Sequence, residues 1–216
     1  MSTHYDDEAQ IEDLRRWWKE NWKPLVAGLA LGLSAIFGWE AYGRSRDAHR
    51  AEGARMFDDL KKAVVANKYD EAVQMTDRLV KDFANTPYAA GGALKLAQAA
   101  VDAGKLDDAR TRLAWAADHG DDQALKPLIE LRLARVLWQQ GKPEDALKLL
   151  DGDAGAYAGL YAELKGDIKL AQGDRAAARA AYEQALEKVD PAAQAPSREG
   201  LQQKLDDLAE AAPVRS

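Results

Sequence analysis

From residue 67 onward one short phrase recurs four times: Asn67-Lys68-Tyr69-Asp70-Glu71-Ala72, Gly104-Lys105-Leu106-Asp107-Asp108-Ala109, Gly141-Lys142-Pro143-Glu144-Asp145-Ala146 and Gly173-Asp174-Arg175-Ala176-Ala177-Ala178. Successive starts lie 37, 37 and 32 residues apart. Each phrase opens on Gly or Asn, which enter a left-handed turn at little cost and so end a helix. An acidic or polar residue then opens the next helix, and the closing Ala is small where two helices must touch. A chain punctuated in this way folds as an array of helical hairpins. Units of this length cannot bury their apolar faces alone and must stack.

Apolar spacing predicts helices over 44–66, 70–84, 87–103, 107–118, 125–140, 144–151, 158–172, 175–189 and 197–211. In the last, Leu201, Leu205 and Leu208 form an apolar stripe on a polar helix, as a terminal cap requires. The tail from Ala212 is expected to fray. The repeat period, together with Gly166, Gly173, Ala178, Tyr182, Ala185 and Pro191 in the fourth unit, resembles the tetratricopeptide repeat. Leu96, Ala97, Gly104 and Ala109 repeat the pattern in the second unit, and Leu133, Ala134, Gly141 and Ala146 in the third. The first unit departs from it, with Asp59 and Leu60 where a Leu-Gly pair is usual and Asn67 for the turn Gly. Lys165 and Lys169 depart in the fourth.

Before the repeats, Pro24 to Trp39 carries no charge, and extension to Gly43 admits only Glu40. Twenty residues of helix cross about 30 Å of hydrocarbon. Trp17, Trp18 and Trp22 precede the stretch and Trp39 and Tyr42 close it, as expected of rings that settle at the two headgroup boundaries. Pro24 suits a first helical turn, where its missing N–H has no partner to lose. A buried core helix and a signal peptide cleaved after Ala41-Tyr42-Gly43 compete with this reading. The leader carries Asp6, Asp7, Glu8, Glu12 and Asp13, unlike a short basic n-region, and Arg44 follows the site directly. Gly28, Gly32 and Ala35 form a small-residue stripe on which a second membrane helix can pack, although such spacing also arises by chance. Ile11, Leu14, Trp18 and Trp22 recur at helical spacing, which fits either a surface-lying amphipathic segment or a plain extension of the span.

The expected fold class is therefore all-α: one N-terminal transmembrane helix, then a helical-hairpin solenoid of about four repeats with a C-terminal capping helix. Its parts are a tail over 1–23, a span over 24–43, a repeat domain over 44–211 and a disordered tail over 212–216. The absence of a Pro after the span lets span and first repeat form one nearly continuous helix, with Gly43 and Gly53 as bends. Arg15, Arg16, Lys19 and Lys23 before the span are matched by Arg44, Arg46, Arg50 and Arg55 after it, so charge leaves the orientation open.

Signatures of catalysis are missing. No phosphate-cradling G-x-x-x-x-G-K-[ST] or G-x-G-x-x-G occurs, nor G-x-S-x-G or H-E-x-x-H. With no Cys there is no thiolate, disulfide or lipidated N-terminal cysteine. His4, His49 and His119 fall in separate segments, and Asp151, Asp153 and Gly155 resemble a calcium loop that lacks its acid, since Ala162 stands there. The pairs Asp107–Asp108 and Asp121–Asp122 sit at helix ends, where they serve the dipole. A net charge of −6 without any basic helix argues against nucleic acid. No enzyme, cofactor or metal is expected.

Surface remains. In stacked hairpins the first helix of each pair lines a concave groove for a peptide. The repeat register places Phe57 and Lys61, then Leu94, Gln98 and Val101, then Leu131, Arg135 and Trp138, then Glu163, Asp167 and Leu170 on that face. The alternative is that Trp138 and the leucines pack between repeats.

Taken together, Gln10-Ile11-Glu12, Trp17-Trp18-Lys19-Glu20-Asn21, the Gly-rich span ending Gly38-Trp39, Leu131-Arg132-Leu133-Ala134-Arg135-Val136 and the unit Gly166 to Ala185 look like the YfgM family of proteobacterial inner-membrane proteins. The resemblance implies a single-pass protein with a cytoplasmic N-terminus and a periplasmic repeat domain. It also implies association with the SecYEG translocon and a PpiD-like chaperone, and a scaffold role toward secretory proteins that emerge unfolded beside the lipid bilayer. The alternative within the same broad class is a periplasmic adaptor that organises envelope or division machinery.

Overall fold

The computed structural model describes residues 3–120, 123–189 and 197–210. Asp121, Asp122, Pro191 and the tail from Ala212 lie outside the described residues, as do the side chains of His4, Asp6, Asp7, Glu8, Gln10 and Asp13. Two units are distinguished, Met1–Ala51 and Glu52–Ser216. Among the described residues every regular element is helical: α1 Thr3–Val65, α2 Tyr69–Asp82, α3 Pro87–Asp102, α4 Leu106–His119, α5 Lys126–Gln139, α6 Pro143–Leu150, α7 Ala158–Ala171, α8 Arg175–Glu187 and α9 Arg198–Glu210, with a 3₁₀ turn at Gly155–Tyr157.

One expectation is corrected at Pro24. It stands inside α1 rather than at a helix start, and α1 continues past Gly43 and Gly53 as well. Proline removes one N–H from the ladder and crowds the carbonyl four residues earlier, a local cost that the flanking turns outlast. The segment containing Ile11, Leu14, Trp18 and Trp22 is part of the same helix.

The four repeated phrases are four copies of one turn. Asn67, Gly104, Gly141 and Gly173 have φ of 56°, 72°, 74° and 83°, the left-handed region in which Asn and Gly are least strained. In each copy the next residue's N–H reaches back five residues, as Lys105 N does to Ala100 O at 2.8 Å and Lys142 N to Leu137 O at 3.0 Å, while the turn residue's own N–H reaches back three. These are Schellman closures, which satisfy carbonyls that the helix end would leave unpaired. The backbone carbonyls of Lys68, Lys105, Lys142 and Asp174 accept the first hydrogen bond of the following helix, donated by the N–H groups of Ala72, Ala109, Ala146 and Ala178. All four alanines are fully buried. Of the four opening residues only Asp174 caps with its side chain, accepting from Ala177 N at 3.0 Å. In the first three, the acids lie inside the first turn, where they complement the helix dipole.

Packing runs from unit to unit along the chain. One cluster joins the end of α1 to α2 and α3 through Leu60, Ala72, Leu79, Phe83 and Leu96. The next joins α3, α4 and α5 through Ala97, Leu113, Ile129 and Val136. Leu131, Leu150, Tyr161, Leu164 and Ile168 join α5, α6 and α7, and Tyr182, Leu201 and Leu208 seat α9 over α7 and α8. Each cluster takes side chains from neighbouring hairpins, so a hairpin removed from the stack would lose much of its core.

Polar links repeat at the same steps. Gln140 Nε2 donates to Asp107 Oδ1 at 3.0 Å, and Gln172 Nε2, one unit on, donates to Glu144 Oε1 at 3.2 Å. Between the first two units that place in the register is Ala103, and Tyr69 Oη supplies a link by donating to Asp108 Oδ2 at 2.9 Å.

Candidate groove and apolar helix

The first helices of the second and third units, α3 and α5, enclose an open trough of about 290 Å³. From α3 come Leu94, Ala97, Gln98, Val101 and Asp102, and from α5 come Arg132, Arg135, Val136 and Gln139, with Leu113 of α4 beneath. Spacing explains the membership. Residues 94, 98 and 101 share one face of α3, and residues 132, 135 and 139 share one face of α5. Arg132 and Arg135 are exposed, and among the described residues neither has a hydrogen-bond or ion-pair partner.

Four of the expected groove residues thus meet: Leu94, Gln98, Val101 and Arg135. Leu131 is corrected, since it is 1% exposed and belongs to the core between α5 and α7. Trp138 is half-buried against that same core. A helix in the middle of a stack has two flanks, and α5 turns 132, 135 and 139 toward α3 while 131, 134 and 138 turn toward α7. Assigning one concave face to α5 merged the two flanks. Arg132 and Gln139 were legible as one helical stripe with Arg135 and were missed for that reason.

The outer expected residues have their own neighbours. Phe57 packs 6.0 Å from Tyr88, centroid to centroid, and Lys61 Nζ lies 5.1 Å above its ring. Glu163 and Asp167 both bind Lys204 of α9, at 2.9 and 2.7 Å, and Asp167 also accepts from Tyr182 Oη at 2.8 Å. Burial would lower the Lys204 pKa, but hydrogen bonds to the two carboxylates outweigh it and the net direction is upward. The Tyr182 hydroxyl is likewise pushed up, first by burial and then by Asp167. At α7 the face is therefore closed by the cap, leaving Leu170 exposed beside it.

In the other unit, Trp17, Trp18, Trp22, Trp39 and Tyr42 are all exposed, as are Leu25, Leu29, Leu33, Ile36 and Phe37 between them. No residue of the apolar window is buried, and a Cβ built on Gly28 or Gly32 would meet nothing within 4 Å. Ala35 is exposed with them. This helix is long and apolar enough to cross a membrane. An apolar surface of this extent is unfavourable in water. Among the described residues no three His, Asp or Glu side chains gather to hold a metal ion.

The tetratricopeptide repeat-like domain family matches residues 15–210, covering the apolar helix and the whole stack. The "Ancillary SecYEG translocon subunit" of Escherichia coli (strain K12) is 32% identical over 210 residues, 96% of this chain and 99% of that protein. The chain belongs to the YfgM family. The YfgM-family protein of the same name from Neisseria gonorrhoeae is 30% identical over 210 residues, 96% of this chain and 100% of its own. That of Haemophilus influenzae is 29% identical over 186 residues, 86% and 91% of the two chains. Matches of this extent take in the apolar helix together with the repeats, so the YfgM family is shared as a whole architecture.

Proposed function

We propose that the chain is a non-enzymatic scaffold anchored in the inner membrane by α1 and associated with the SecYEG translocon, offering its repeat surface to periplasmic chaperones of the PpiD type and to secretory polypeptides. Residues 1–23 would lie in the cytoplasm, 24–43 in the bilayer, and the repeat domain, 44–211, in the periplasm. The carrying observation is the pairing, in one chain, of a bare apolar helix with a repeat stack that presents an open groove. The relatives' name supplies the translocon. Trp17, Trp18 and Trp22 at one end and Trp39 and Tyr42 at the other suit the two bilayer interfaces, and Gly28, Gly32 and Ala35 suit close approach of a translocon helix.

Purification of the full chain from membranes in mild detergent tests this reading. Translocon subunits are expected in the eluate in amounts well above those found with an unrelated single-span protein. Equal amounts in both would overturn it.

A further inference from the structure

We propose that the α3–α5 groove takes a polypeptide segment in which an apolar side chain is flanked by carboxylates, with the apolar group on Leu94, Val101 and Leu113 and the carboxylates on Arg132 and Arg135. This names the partner chemistry of the repeat surface and rests on the scaffold reading above.

Size comes first. A volume of about 290 Å³ lies just below the range of about 300–1,000 Å³ that small-molecule sites occupy. It holds one or two side chains of a longer ligand, and its open form lets that ligand continue beyond it.

Charge selects what flanks the apolar group. The chain carries a net charge of −6, and Arg112, next to Leu113 in α4, is already engaged by Asp77 at 2.6 Å. Arg132 and Arg135, one helical turn apart at the trough's edge, are left open. Two guanidinium forks offer bidentate donors that match carboxylates. Asp102 and Gln139, in the last turns of α3 and α5, give the trough a second, non-basic end. A ligand of phosphates alone, whether nucleic acid or lipid headgroup, would leave the apolar floor of Leu94, Val101 and Leu113 wet. A peptide with Leu or Val between acids fills the floor and pairs the arginines.

The test uses the full chain in nanodiscs of zwitterionic phosphatidylcholine and a fluorescein-labelled decapeptide of alternating Leu and Asp, read by anisotropy. The Asp peptide is expected to bind at least about tenfold more tightly than its Asn counterpart, and R132E with R135E to remove that preference. Because both arginines are exposed, the variant should keep its helical circular dichroism and melting temperature; R132Q with R135Q repeats the test with a milder change. Leu94→Asp should weaken the Asp peptide independently. Equal binding of the Asp and Asn peptides, or unchanged binding in both arginine variants, would overturn the proposal. Displacement of the peptide by soluble short-chain phosphatidylglycerol at equal concentration would overturn it in favour of a headgroup site. Translocon co-purification is scored separately on the same variants: its absence in the parent chain refutes the scaffold reading and leaves the peptide titration standing.

Discussion

The ring of Tyr182 in α8 lies against Gly166 in α7 so closely that a Cβ on residue 166 would overlap it. The same two places in the other units hold Ala97 with Leu113, Ala134 with Leu150 and Leu60 with Thr76, all buried. As one partner grows from Gly through Ala to Leu, the other shrinks from Tyr through Leu to Thr, which keeps the hairpin filled without strain. Gly166→Ala should therefore cost about 1–3 kcal/mol through overpacking. Combined with Tyr182→Leu, which recreates the pair of the second and third units, it should cost less than the sum of the two single changes. Urea denaturation of the four proteins gives the coupling directly; strict additivity would mean that the two sites do not share the space.

Turn strain gives a second comparison. Gly141 sits at φ 74° and Asn67 at φ 56° in equivalent turns. Gly141→Ala places a Cβ in the left-handed region and should cost about 1–2 kcal/mol. Asn67→Gly relieves the same conformation but frees the unfolded chain, so its net effect should stay within about 0.5 kcal/mol. Shifts in denaturation midpoint at constant slope check both.

The hairpin order was legible because its punctuation is local: a residue that tolerates positive φ, then a helix opening, then an Ala that can only be small. Gly104 and Ala109 announce their roles without reference to any distant residue. The groove was half legible for the opposite reason. Which flank of α5 meets α3 depends on the rotation of α5 in the stack, and that is set by Leu131, Ala134 and Trp138 docking toward α7, a long-range fact. The closure at α7 was illegible altogether, since Glu163 and Asp167 find Lys204 across about forty residues of sequence. Pro24 misled because its local preference for a helix start was overridden by helix on both sides.

Alkaline pH should destabilise the repeat domain through its tyrosines. Burial first, and then the hydrogen bond to Asp108, push the Tyr69 hydroxyl up to about 12. Tyr161 is pushed higher still by burial and by Glu130, which accepts from its hydroxyl along with Pro127 O. A folded pKa above the unfolded value near 10 means that the folded state holds more protons between the two values. Stability is complete below about pH 10 and falls as pH rises through 12. Tyr69→Phe should make that decline shallower between pH 10 and 12, as measured by urea midpoints at stepped pH; an unchanged slope would show that Tyr69 ionises as freely folded as unfolded.

Lys204 fastens the cap. Its ammonium bridges Glu163 and Asp167, and Arg175 Nη2 donates to Leu208 O at 2.7 Å from the other side. Lys204→Met keeps the aliphatic stem but leaves two partly buried carboxylates without their cation. Solvent screening at this partly exposed site limits the loss to about 1–2 kcal/mol. Because the loss falls on one end of a stack of neighbouring contacts, it should appear first as faster hydrogen exchange in 198–210, with α3 and α4 unchanged. Uniformly faster exchange over all helices would instead show that the stack unfolds as one unit.

The apolar helix yields the most direct test of anchorage. Leu25, Leu29, Leu33, Ile36 and Phe37 are exposed around the same stretch of α1, and the helix carries no buried residue in its apolar window. In water such a surface would be costly, whereas in hydrocarbon it costs nothing and its backbone is already internally hydrogen-bonded. The full-length chain should remain with the pellet when membranes are washed in alkaline carbonate, at an intact mass that includes residues 1–23. Leu29→Arg with Leu33→Arg places two charges near the centre of the stretch, at about 2.5–3.5 kcal/mol each on insertion scales, and should shift most of the protein to the supernatant without altering the melting of the repeat domain. Release of the unaltered, uncleaved chain by carbonate would mean that protein, rather than lipid, covers the helix.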